Sequence, residues 1–78
     1  MSPTVFRDGS LRFYFFSREE SRMHIHVRGP GGEAKFWMEP NIELAQNYGL
    51  TLRQMKVALK SIQEHRDEIR AAWKAHFG

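Results

Sequence analysis

The hydrophobic pattern changes period at Pro40, and this restricts the fold more than any other feature of the chain. Before Pro40, apolar and polar residues alternate between glycine-rich turns, as half-buried strands require. After it, apolar residues recur every three to four positions, as helices with one buried stripe require. Thr4 to Arg7 and Leu11 to Ser17 flank Asp8-Gly9, a strong hairpin signal because these residues tolerate the positive φ of a tight turn. Arg22 to Arg28 and Glu33 to Met38 flank Gly29-Pro30-Gly31-Gly32, four consecutive turn formers. The expectation is a single α+β domain over residues 1–78: a three- to four-stranded antiparallel β-meander in residues 1–39, with one face covered by a short and a long C-terminal helix in residues 41–77.

Alternation assigns the faces. Leu11, Phe13 and Phe15, then Met23, Ile25 and Val27, then Ala34, Phe36 and Met38 share the parity expected of a core. The other parity carries Arg12, Tyr14 and Phe16, then Arg22, His24, His26 and Arg28, then Glu33, Lys35 and Trp37. Without bulges, Phe16 pairs with Arg22 and Arg28 with Glu33, so one cross-strand row reads Tyr14, His24, Trp37 and the next Arg12, His26, Lys35. Past Pro40, Asn41 can cap a short helix to about Tyr48, ended by Gly49. Thr51 and Gln54 form a capping-box pattern that opens the long helix. Its stripe of Leu52, Met55, Leu59, Ile62, Ile69 and Trp73 is interrupted once, by Arg66. Run straight to Phe77, it would be about 40 Å long. Its last turns, around Trp73 and Phe77, should therefore meet a second copy of the chain or fold back onto the sheet edge.

Composition narrows the class. The 78 residues hold no cysteine and no apolar run near 18 residues, which excludes disulfides, thiolate zinc and a membrane-spanning helix. Met-Ser-Pro-Thr-Val-Phe-Arg-Asp lacks the basic start and long apolar core of a signal peptide, so a cytoplasmic protein is expected. A formal charge of +3 tolerates nucleic acid without demanding it. A chain this short buries only about 60% of its unfolded surface, and its ten aromatics help to offset that.

The polar parity of the sheet is the unusual surface. Arg12, Tyr14, Arg22, His24, His26, Arg28, Lys35 and Trp37 set ring planes among phosphate-seeking cations, a combination suited to single-stranded RNA and equally to a protein interface. Binding is the expected role, and a metal-independent ribonuclease is the rival. There His24 and His26 would serve as base and acid, Arg12 and Lys35 would hold the phosphate, and Tyr14 or Trp37 would stack a base. A plainer reading has the short helix cover part of this face, with solvated cations around it. His24 and His26 leave one face of a strand, but a zinc site needs at least three protein ligands, so Glu33, His65 or Glu68 would have to join them. With the long helix on the apolar face His65 lies on the other side of the sheet, and neither metal nor cofactor is expected. The run Glu43 to Met55, with Ala45 and Gly49, imitates a helix-turn-helix and leaves DNA binding as a further alternative. No cysteine nucleophile, phosphate-cradling loop or serine elbow is present.

The run Pro3-Thr4-Val5-Phe6, the strand Arg12-Phe13-Tyr14-Phe15-Phe16, the core His24-Ile25-His26 and a terminal helix bearing His65, Glu68 and Trp73 resemble the short bacterial proteins of domain-of-unknown-function family 4160. The resemblance covers nearly the whole chain. Members often carry Pro before the first His, where this chain has Met23. The resemblance implies a small prokaryotic protein of the kind suspected in toxin–antitoxin-like gene pairs, whose partner would be a protein encoded nearby, RNA, or both. It implies no established activity.

Overall fold

The computed structural model describes residues 4–16 and 21–77. Five antiparallel strands follow one another in chain order across a single sheet: β1 (Thr4–Asp8), β2 (Leu11–Tyr14), β3 (His24–Gly29), β4 (Gly32–Trp37) and β5 (Glu43–Tyr48). Two helices follow, α1 (Leu52–Glu64) and α2 (Arg66–Phe77). The α+β class and the meander are as expected, and the sheet has one strand more than the sequence pattern predicts.

That strand is the segment expected to form the short helix. Glu43, Leu44, Ala45 and Gln46 all favour a helix in isolation, but the outer edge of β4 would otherwise present a row of unpaired backbone groups. The segment pairs there instead, from Trp37↔Glu43 to Glu33↔Tyr48. The register shifts between Lys35 and Phe36, so Ala45 is an extra residue that breaks the period of two. This bulge hides the strand from the sequence pattern. It also removes the first helix of the helix-turn-helix imitation, and with it the DNA-binding alternative. Asn47 closes the following turn, its side chain accepting from the Leu50 N–H and donating to the Leu50 carbonyl at 3.0 and 3.1 Å. Gly49, at φ +92°, makes that turn, and its backbone passes against Gly32 too closely for a Cβ at residue 32.

A second correction concerns register. β3 and β4 pair as expected, Arg28↔Glu33 through His24↔Trp37. Between β2 and β3 the pairs are Arg12↔Arg28 and Tyr14↔His26, a slip of two residues from the expected alignment. β2 ends at Tyr14 because Phe15 leaves the ladder to pack on Trp73 and Phe77, with ring centroids 5.3 and 5.8 Å away. A slip of two preserves every face, so the core is the one expected: Leu11, Phe13, Phe15, Met23, Ile25, Val27, Ala34, Phe36 and Met38 are buried, joined by Ala58, Ile62, Ile69 and Trp73 from the helices.

The long helix is two. Thr51 and Gln54 do form the capping box that opens α1, and the stripe ends where Arg66 interrupts it. His65 leaves helical geometry at φ −106°, ψ 17°. Its backbone N–H and its ring Nδ1 both meet the Ser61 carbonyl, at 2.9 and 2.8 Å. A straight helix of the expected length would exceed every dimension of the molecule, whose extents are 33 × 26 × 20 Å. The break instead turns α2 back, and Trp73 is buried against the sheet end. The last turns fold back onto the sheet, one of the two outcomes expected for them, with Trp73 against Phe15. No helix among the described residues is long and apolar enough to cross a membrane.

Candidate ligand-binding face

β5 widens the polar face where the plainer reading of the sequence has a short helix cover part of it, and α2 reaches this face through Trp73, which packs on His24. Residues directly opposite in antiparallel strands share a face, and following the pairs across the sheet gives the row Arg7, Arg12, Arg28, Glu33, Tyr48. The neighbouring row reads Thr4, Tyr14, His26, Lys35, Gln46, and the next His24, Trp37, Glu43. These replace the rows expected from sequence. Arg12 belongs with Arg28 rather than His26, and Tyr14 with His26 rather than His24.

Three guanidinium groups therefore stand on adjacent strands, which lie about 4.8 Å apart. Like charges directly opposite are destabilising, and an anion laid across them would relieve the repulsion. Arg12 is held in place by its Nε donating to Thr4 Oγ1 at 2.7 Å and by its guanidinium lying 4.6 Å from the Tyr14 ring centre. Arg7 and Arg28 are exposed.

The rings expected to stack a ligand are already engaged. Tyr14 is 3% exposed, with His26 stacked on it at 5.4 Å and Phe16 edge-on at 5.5 Å. Burial, followed by the negative charge of Glu33, raises the Tyr14 pKa above the ordinary value despite Arg28 and Arg12. Trp37 is half-buried and carries the Arg22 guanidinium and the Lys35 ammonium 4.2 and 4.4 Å from its ring centre. Arg22 Nε also donates to the Glu39 carbonyl at 3.0 Å. His24, 1% exposed, pairs its Nδ1 with the Arg22 carbonyl at 2.7 Å and packs among Trp37, Trp73 and His26.

The exposed rings are Phe16, 43% exposed, and Tyr48, 63% exposed. Between them lies a cleft of about 130 Å³ lined also by His26, Glu33, Ala34, Lys35 and Gln46. Sequence pattern misses Tyr48 and Gln46 because their segment reads as a helix. Only its reading as a bulged strand over residues 43–48 brings both to this face.

The remaining candidates lie elsewhere. His65 stacks on Phe6 at 4.0 Å, on the helix-covered side of the sheet, and Glu68 is exposed in the first turn of α2. Among the described residues no three His, Asp or Glu side chains are placed to hold a metal ion.

The family model described as Domain of unknown function (DUF4160) matches residues 10–74, which take in the cleft and most of the cationic row. No curated protein and no solved structure gives a significant match.

Proposed function

We propose, from the premise that the chain belongs to the DUF4160 family of domains of unknown function, that it is a binding module whose polar sheet face takes single-stranded RNA. The observation that carries this reading is the pair of exposed rings, Phe16 and Tyr48, flanking a cleft beside the arginine row. Single-stranded nucleic acid is held by this division of labour, with cations tracking the backbone and rings stacking the bases. The ribonuclease alternative draws no support from the geometry, because His24 is enclosed by Trp37, Trp73 and His26. A proton-transfer group must reach its substrate within hydrogen-bond distance.

Fluorescence anisotropy with a labelled single-stranded RNA octamer tests the proposal. Affinity should fall with salt, with a log–log slope of about −2 if three phosphates are neutralised on single-stranded RNA. Arg12→Ala and Arg28→Ala should each make that slope shallower by about 0.7. Absence of binding at low salt, or slopes unchanged in both variants, would overturn the reading. Cleavage of the octamer without added metal, lost in His26→Asn, would move the function to the nuclease class.

A protein partner, as a toxin–antitoxin-like pair would require, is favoured by a separate feature. Exposed Leu44 and Leu52 border an apolar groove with Phe36, Ile42, Met55 and Leu59, beside the outer edge of β5. Copurification of a neighbour-encoded protein, lost in Leu44→Asp, is the corresponding test.

A further inference from the structure

The geometry points to guanine as the base that the cleft between Phe16 and Tyr48 selects, read by the Glu33 carboxylate and the Lys35 ammonium. This rests on the RNA-binding reading and adds a specificity to it. At about 130 Å³ the cleft is smaller than the roughly 300–1,000 Å³ of a drug-sized ligand pocket. It takes a single base between its ring walls, with sugar and phosphates left outside toward the arginines.

The polar lining then decides which base. Glu33 lines the cleft from a strand position directly opposite Arg28 and on the same face as Tyr14, whose phenol its negative charge reaches. An ionised carboxylate only accepts hydrogen bonds, and an ammonium only donates them. The base that suits this pair presents adjacent donors on its Watson–Crick edge, with an acceptor beside them. Guanine does so, with N1–H and the 2-amino group for the two carboxylate oxygens and O6 for the Lys35 ammonium once it turns from the Trp37 ring into the cleft. Adenine and cytosine each offer one amino group to the carboxylate, and uracil offers a single ring N–H between two carbonyls that the carboxylate would repel. Gln46 lies directly opposite Lys35 in the pairing and lines the same cleft, where its amide both donates and accepts.

The test uses four labelled RNA octamers of uridine whose central residue is guanosine, inosine, adenosine or uridine, with the whole chain and anisotropy as the readout. The guanosine strand should bind about tenfold more tightly than the adenosine and uridine strands, the scale of one good bidentate contact. Inosine, which lacks the 2-amino group, should fall between. In Glu33→Gln the guanosine preference should disappear while the other strands bind at least as tightly, since a negative charge has left an anion-binding face. Tyr48→Ala should weaken the guanosine strand by about tenfold through the lost stacking wall. Equal affinity for all four strands, or a preference that survives Glu33→Gln, would overturn the guanine assignment and leave RNA binding standing. Failure of every strand to bind would remove the reading on which the assignment rests.

Discussion

Tyr14 links the chemistry of the polar face to the stability of the sheet. Burial first, and the Glu33 charge second, hold its pKa above the ordinary value of 10.0. The folded chain therefore keeps the phenolic proton to higher pH than the unfolded chain. The resulting stabilisation is complete below the ordinary pKa and is lost as pH rises through the folded one. Chemical denaturation of the wild type should show stability falling above about pH 10, and Tyr14→Phe should flatten that decline. His24 makes a different case. Its ring is buried among Trp37, Trp73 and His26 with Nδ1 on a backbone carbonyl, so His24→Ala should destabilise by about 2–4 kcal/mol through a cavity and an orphaned acceptor, measured by urea denaturation. The alternation of β3 shows that both histidines share a face. It does not show that one is enclosed, because the ring that encloses it comes from α2, almost fifty positions along the chain.

Among the elements, β5 depends on a close backbone approach. A Cβ at residue 32 would meet backbone atoms of Tyr48, Gly49 and Leu50, which cannot give way as a flexible side chain can. Gly32→Ala should cost about 2 kcal/mol or more, seen as a fall in Tm of roughly 10 °C, and it should also weaken the guanosine strand because Tyr48 moves with β5. At Gly31 nothing lies within 4 Å of the position a Cβ would take, and only the φ of +83° resists substitution, so Gly31→Ala should cost about 1 kcal/mol. The capping box of α1 is legible as Thr51-x-x-Gln54, and Thr51→Ala should remove about 1 kcal/mol. The buried Ser61 hydroxyl of α1 donates to the Asp8 carboxylate, tying the first hairpin to the helix layer. Nothing in the local pattern around Asp8 or Ser61 announces that bond.

At the scale of the molecule, the break at His65 decides how the domain is closed. α2 returns to the sheet and inserts Trp73, 8% exposed, beside Phe15, His24 and Phe77. The rings that an overhanging helix would have offered to a second copy are thus used within the chain. Trp73→Ala should cost about 3–5 kcal/mol, a large share of what a domain of this size possesses. Hydrogen exchange should show α2 amides losing protection before those of β3 and β4. Unchanged protection in α2 would mean that its docking does not depend on this ring.

Local pattern determined the class of the fold, the turns at Gly9 and Gly31, the helix cap at Thr51 and the division of each early strand into core and polar faces. Each of these depends on residues within a few positions of one another, through φ preferences, capping hydrogen bonds or a period of two. The tertiary structure decided the rest. The outer edge of β4 turned a helix-favouring segment into β5, Phe15 leaving the ladder set the β2–β3 register, and the sheet's length forced the helix to break where its stripe was already interrupted. Tyr48 reached the cleft only through the first of these events. Backbone hydrogen bonds at an open strand edge and burial of large rings outweigh helix propensities of a few tenths of a kcal/mol per residue, and neither is visible until distant segments have met.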